Sequence, residues 1–450
     1  MKRRTPSRFG RLFRWRNVEP IPGALEAAAP PSPGGTLDAT FRALRNRNYR
    51  LFYTGQAISL SGTWMQTIAQ AILVIELTDS KIALGTVTML QFLPITIFVL
   101  FAGVIADRVP KRNFIFATRT LAMAQALVLA ALVYSGRVEL WHVYSLAFVL
   151  GLSNAFEQPA RQAFIVDMVG KDDLMNAIAL NSGLFNGARL VGPAFGGVII
   201  DLFGVDTAFL INGLSFIPIL LSLALMDTSQ LHGTESRRSD RMNPIGELRE
   251  GLSYAFRTPS VLLVVILVAI VGTFGYNFTV MLPLLSEYVL DRGPRGLGFM
   301  TAAVGLGALI SALVLASRSR AAVSTLFIGG FAFTALLAGV AFSQWYLLTL
   351  ALLLFLGVAN TTFASTANTS LQLATPDHLR GRVMALYMLL FAGSTPIGGF
   401  LTGFLAETMG VSTAIAVNAA ACLLGVLIAL AYYVSHRESI APRELHTSPA

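Results

Sequence analysis

The chain has 450 residues, 54% of them hydrophobic and 13% charged, where a soluble domain carries about 25% charged residues. With a mean hydropathy of +0.65, that composition excludes an ordinary soluble domain and places the chain among membrane proteins. The net charge of +9 then reads as basic residues held beside a membrane rather than as a nucleic-acid footprint. The single cysteine, Cys422, excludes a disulfide framework or a cysteine metal site within one chain.

Met1–Arg16 holds seven of the 33 Lys and Arg residues, and a Pro/Ala/Gly stretch follows from Glu19 to Gly35. No uninterrupted apolar core follows the basic start, so this is not a secretory signal. Residues 1–40 are expected to be a disordered cytoplasmic tail that touches anionic lipid. Arg42, Arg45, Arg47 and Arg50 lead directly into apolar sequence.

A membrane span needs about 20 mostly apolar residues to cross ~30 Å of hydrocarbon. Twelve segments meet that length: 51–76, 82–106, 113–135, 141–163, 177–201, 206–226, 260–288, 297–316, 321–342, 345–370, 383–407 and 411–434. The expected fold class is an all-α membrane protein of twelve transmembrane helices, with both termini on one side. Alternating the loops between two faces puts 28 Lys and Arg on the terminus side and four on the other, with Arg189 inside a span. By the positive-inside rule the termini face the cytoplasm. The expectation is a bacterial inner-membrane protein.

The loop Asp227–Pro259 separates the spans into bundles at 41–226 and 260–434, leaving 435–450 as a second cytoplasmic tail. Within the loop, Asn243 and Pro244 read as a helix start. Ile245, Leu248, Leu252 and Phe256 follow at helical spacing, so a short amphipathic helix at the inner interface is expected. The bundles read as repeats. Gly151, Asn154, Gly204 and Asn212 recur 206 residues later as Gly357, Asn360, Gly410 and Asn418, the pattern of a duplicated six-span unit.

A charged turn, Gly103-x3-Asp107-Arg108-x2-Lys111-Arg112, joins the second and third segments. With Leu77-Thr78-x-Ser80-x3-Leu84-Gly85, Pro159-Ala160-Arg161-Gln162 and Asn186-x2-Arg189-x2-Gly192-Pro193-x2-Gly196-Gly197, it resembles the major facilitator superfamily. Within it the chain is similar to the branch of twelve-span drug:proton antiporters, macrolide efflux pumps and the enterobactin exporter. The resemblance covers about residues 41–436. Pro110 stands where the signature has a glycine, and the corresponding turn of the second half, Leu309–Arg318, has Leu313 in place of the acid.

That resemblance implies that Gly103, Asp107, Arg108, Lys111 and Arg112 gate the cytoplasmic side; the plain alternative is a stop signal for insertion. Pro193 removes a helix hydrogen bond and Gly192, Gly196 and Gly197 permit close approach to a partner helix such as the eighth span. The resemblance reads this as a leak-limiting contact of antiporters, against generic small-residue packing. Pro396-Ile397-Gly398-Gly399 is expected to kink the eleventh span similarly.

Glu157 is expected ~6 Å from the inner face at 1.5 Å per residue. A buried carboxylate takes up a proton more readily, which suits proton coupling; the alternative is an ion pair with Arg161 one turn on. Arg189 lies ~18 Å into the fifth span and stays charged. Its partner is an interior carboxylate, a helix carbonyl or an anionic substrate, or it serves as a brace. Trp64, Gln66, Gln70, Gln91 and Asn277 are expected to line the cavity.

The function expected is secondary active export of amphipathic, drug-like small molecules by alternating access, with proton antiport. The alternatives are a dedicated exporter of a siderophore or other metabolite, and a non-transporting membrane sensor or assembly factor. The expected partners are a small-molecule substrate, protons and membrane lipids, with no nucleic acid, cofactor or metal and a monomeric state. Nothing in the sequence reads as an enzyme.

Overall fold

The computed structural model describes residues 40–232, 244–316 and 323–436. The expected tails, the Asn243 cap and Arg318 lie outside the described residues, as do the side chains of Asp107, Ile245 and Leu248. Helices account for nearly everything described. The first half comprises α1 (Arg47–Leu77), α2 (Lys81–Arg108), α3 (Lys111–Tyr134), α4 (Leu140–Val169), α5 (Leu174–Phe203) and α6 (Val205–Ala224). A linker helix, α7 (Pro244–Arg257), follows. The second half comprises α8 (Pro259–Gly275), α9 (Phe278–Tyr288), α10 (Gly293–Ala316), α11 (Val323–Phe342), α12 (Tyr346–Ala374), α13 (Asp377–Phe391), α14 (Thr395–Met409) and α15 (Val411–Ser435).

Eleven stretches among the described residues are long and apolar enough to cross a membrane, with α8–α9 and α13–α14 each counting as one. The remaining expected span is α4. It runs 30 residues and packs among its neighbours, but Asn154, Glu157, Gln158, Arg161 and Asp167 lower its apolar content. Polar residues inside a span belong against protein rather than lipid.

Successive spans alternate in direction. Asn48 at the start of α1 therefore meets Asp227 after α6: its amide donates to the Asp227 carbonyl at 2.8 Å, and its own oxygen accepts the Asp227 N–H at 3.0 Å. This end, which carries residues 46 and 435, is the near face. Lys81, Asp201, Arg295 and Glu407 lie at the opposite, far face.

Two spans are broken rather than bent. Between α8 and α9, Tyr276 and Asn277 leave helical geometry, and the Asn277 amide donates to the Thr273 carbonyl at 2.7 Å, satisfying an acceptor that the break exposes. Between α13 and α14 the helix stops at Phe391, and Pro396 lies in the first turn of the next helix, where its missing N–H costs nothing. The expected kink at Pro396 is thus a full break three residues earlier. The breaks face each other: a Cβ on Gly398 would collide with the Thr273 carbonyl. By contrast, α5 continues through Pro193.

The repeat is visible in packing. A Cβ at Gly151 would strike the Gln91 carbonyl across α2, and a Cβ at Gly357 the Val304 carbonyl across α10. Gly204 and Gly410, with φ of +87° and +86°, make the one-residue joints α5–α6 and α14–α15, a conformation that glycine tolerates best. Asn212 and Asn418 are both fully buried; the first donates to Gln66 and the second to Thr402 at 2.9 Å.

Linker helix α7 starts at Pro244. Glu250 pairs with Arg382 at 2.5 Å, and the Tyr254 hydroxyl donates to the Ala374 carbonyl at 3.1 Å. Leu252 and Phe256 are exposed and Ala255 packs inward, which ties α7 to the second half. Adding one methyl group at a helix crossing with no space for it costs about 1–3 kcal/mol. Gly151→Ala and Gly357→Ala should each lower the melting temperature in detergent, whereas Gly103→Ala, which meets nothing within 4 Å, should not.

Candidate functional site

The first interior charge site lies inside the first half. Glu157 is 12 residues from the near end of α4, ~18 Å along the helix, well beyond the expected ~6 Å. Its Oε1 accepts from Arg119 Nη2 at 2.5 Å and lies 3.4 Å from Arg161 Nε. Arg119 also donates to Gln56 at 3.0 Å and to Ser59 at 3.2 Å on α1, and its guanidinium packs 5.8 Å from the Phe216 ring of α6. Arg119 thus links the Glu157 carboxylate of α4 to α1 and α6. Two guanidinium groups share one buried carboxylate, leaving the cluster with one formal positive charge in excess. Arg161 is the partner expected at i+4. Arg119 was counted among the near-face anchors and is instead 6% exposed. The signal was available: it is the only charged residue in segment 113–135.

At the near face, α2 ends at Arg108 and α3 begins at Lys111, with Val109 and Pro110 between them. Lys111 pairs with Asp167 at 2.8 Å, an acid that the sequence reading passed over. Arg112 donates to the carbonyls of Leu223 at 2.6 Å and Ala224 at 3.2 Å, so it caps the C-terminus of α6, where a cation complements the helix dipole. Arg108 is exposed. Lys111 and Arg112 therefore fasten the first half to itself.

The halves meet along two seams. In one, a Cβ on Gly197 of α5 would lie 2.6 Å from the Pro294 carbonyl of α10, and one on Gly298 2.5 Å from the Pro193 carbonyl. Gly192 and Gly196 instead face α1, at the Ser61 carbonyl and Met65. In the other seam, Gly85 of α2 approaches the Gly399 carbonyl of α14 and Gly403 the Lys81 carbonyl. Both seams occupy the far half of the spans. The α5 seam ends where Gly305 meets the Arg189 carbonyl; Gly187 and Gly183, further toward the near face, meet nothing within 4 Å. The cleft between the halves therefore opens to the near face.

Side chains reinforce the far end. Glu407 of α14 accepts from the backbone N–H of Lys81 at 2.5 Å and of Ile82 at 3.3 Å, capping α2 from the other half. The Lys81 ammonium lies 4.5 Å from the Tyr288 ring centroid, and Arg295 pairs with Asp201 at 3.3 Å.

Arg189 stands at the apex of the cleft. It does not reach Glu157. Its guanidinium lies 5.7 Å from the Trp64 ring centroid, at about the depth of the α8–α9 break in the other half. The expected cavity residues divide. Trp64 packs against Phe185 with ring centroids 5.7 Å apart and faces the cleft. Gln66 is a correction: it is 2% exposed, donates to Gln125 at 3.0 Å and accepts from Asn212, so its amide is spent inside the first half. Gln70 donates to Gln91 at 3.0 Å and joins α1 to α2. Asn277 is buried at the break.

A family model described as transmembrane secretion effector matches residues 38–449. The chain belongs to that family. It is a multi-pass membrane transporter of the efflux branch of the major facilitator superfamily. It is 24% identical to the staphyloferrin A transporter of Staphylococcus aureus, over 80% of this chain and 90% of the relative. It is 28% identical to the multidrug efflux pump Tap of Mycolicibacterium fortuitum, over 82% and 91%. It is 24% identical to macrolide efflux protein A of Streptococcus pyogenes, over 81% and 92%. Among solved structures, the nucleoside transporter NupG superposes with a TM-score of 0.66 at 11% identity, covering 86% of this chain and 99% of that one. An inward-facing bacterial homologue of the lysosomal transporter Spinster gives 0.66 at 14% identity, covering 88% and 97%. These two likenesses concern the fold.

Removing one partner of a buried ion pair costs about 3–5 kcal/mol because the other charge is stranded. Glu157→Gln should therefore destabilise the protein strongly in a thermal melt, and adding Arg119→Gln should restore part of the loss.

Proposed function

We propose that the chain exports amphipathic, drug-like small molecules from the bacterial cytoplasm across the inner membrane, by alternating access and in exchange for protons. One observation carries this reading: the glycine seams close the far end of the cleft and leave its near end open. The near face is the side to which the charge count assigns the termini, so the cleft faces the cytoplasm. The names of the relatives, a multidrug pump and a macrolide efflux protein, support drug-like cargo. The chain works as a monomer among membrane lipids, since each half contributes one wall of the cleft.

Glu157 acts in this reading as a structural clamp, because its carboxylate is held by Arg119 and Arg161 inside the first half. The gating role falls to two carboxylates at opposite ends. Asp107, with Arg108 beside it, latches the near face when that face closes. Glu407 latches the far face in the state described above. A second reading, a dedicated exporter of a siderophore or other metabolite, draws on the relative named as a staphyloferrin A transporter.

Inside-out vesicles carrying the protein, tested with a macrolide, a cationic dye and a siderophore, should accumulate at least one of them when the lumen is acidic. Dissipating the pH gradient should abolish that accumulation; uptake that persists without the gradient would count against antiport. The latches make a paired test. In a Cys422→Ser background, a reporter cysteine at Thr88, 4% exposed beneath Gly399, should label faster from the far face with Glu407→Gln and more slowly with Asp107→Asn.

A further inference from the structure

The deepest layer of the cleft holds polar atoms without partners. Trp64 is 17 residues into α1, Arg189 is 15 into α5, and Tyr276 is 17 beyond the start of α8. At 1.5 Å per residue all three lie ~22–26 Å from the near ends of their helices. The break at Ala392–Ser394 falls at the same level of the fourth wall. Here the Trp64 indole N–H, the Tyr276 hydroxyl, the Asn277 side-chain oxygen and the Ser394 hydroxyl are all buried without a hydrogen-bond partner.

Arg189 sets the sign of this layer. Among the described residues no carboxylate lies within ion-pair distance of it; Glu157 is held by Arg119 and Arg161. Its guanidinium packs over the electron-rich face of Trp64, and the unpartnered Tyr276 hydroxyl stands at the same depth in the facing half. A permanent cation at mid-membrane depth without a counter-ion is costly, and cation–π contact offsets only part of that cost. The indole N–H is a donor only, and the phenol O–H donates as readily as it accepts. A guanidinium, an indole N–H and a phenol O–H converging on the closed end of a cleft are complementary to an anion. The broken helices expose backbone at this depth, a recurrent feature of transporter binding sites.

We propose that Arg189, Trp64 and Tyr276 bind an acidic group of the transported molecule, so that the cargo is an amphipathic anion. The acid docks at the apex, and the apolar part lies along Phe185 and the cleft walls. This rests on the exporter reading above. It narrows that reading, since cationic dyes would be rejected.

The test uses a matched pair of probes, dansyl-undecanoate and its methyl ester, alongside a cationic dye and a neutral macrolide in inside-out vesicles. The wild type should accumulate the acid about tenfold or more faster than the ester, the discrimination given by one charge-assisted hydrogen-bonding site. Arg189→Gln should abolish that preference by slowing the acid alone, and Arg189→Lys should keep part of it. Arg189→Gln strands no carboxylate, so its melting temperature should equal or exceed that of the wild type. Trp64→Phe should weaken the acid preference while keeping the ring under the guanidinium. Equal slowing of every substrate by Arg189→Gln would make the arginine a brace and overturn the proposal. Transport of the ester or the dye in preference to the acid would overturn it while leaving export intact. If no probe moves in the wild type, the exporter reading fails and the inference fails with it.

Discussion

Where α2 crosses α14 and α5 crosses α10, the halves approach so closely that a Cβ added at the crossing glycines would meet the opposing helix. Lipid tails offer no hydrophobic drive for helices to associate, so membrane interfaces rely on close packing of small residues. Gly85, Gly197, Gly298 and Gly403 supply that packing at the far ends of the spans. The cleft exists because these contacts stop near mid-depth. The position of Arg189 at its apex, and the exposure of the near half of α5, follow from the same stopping point.

Three arginines inside the spans illustrate how the chain handles buried charge. Arg119 and Arg161 share one carboxylate and belong to the interior of the first half. Their cluster joins α1, α3 and α4, and Phe216 of α6 packs against it. Arg189 has no such acid and faces the space between the halves. The difference is one of placement: the first two cations are neutralised within one half, while the third is left at the interface between the halves. The glutamine pairs Gln66–Gln125 and Gln70–Gln91 add further rigid connections within the first half.

Much of the fold was legible because hydropathy is a local property. Span lengths, the near–far alternation and the repeat offset all come from residues close in sequence or at a fixed interval. Gly151 and Gly357 could be matched before either crossing was seen. The rotation of each helix was not legible, and partnership depends on it. Gln66 and Gln70 share a face, yet that face turns toward α3, α6 and α2 rather than the cleft. Arg119 lies a short distance from the near end and so reads as a flanking anchor; its isolation among apolar residues hints at an interior role, and packing supplies the partner, Glu157. The helix breaks at Tyr276–Asn277 and Ala392–Ser394 were also hidden, since Gly, Asn and Pro are tolerated within membrane helices.

Glu407 reaches across from α14 to cap the first turn of α2. A charge at a helix terminus contributes about 0.3–2 kcal/mol, which changes the ratio of two conformations by somewhere between less than twofold and about thirtyfold. Taken by itself, the cap is a shallow contribution to the closure rather than a lock. A ligand that favours one arrangement of this end by a similarly modest margin suffices to offset the cap.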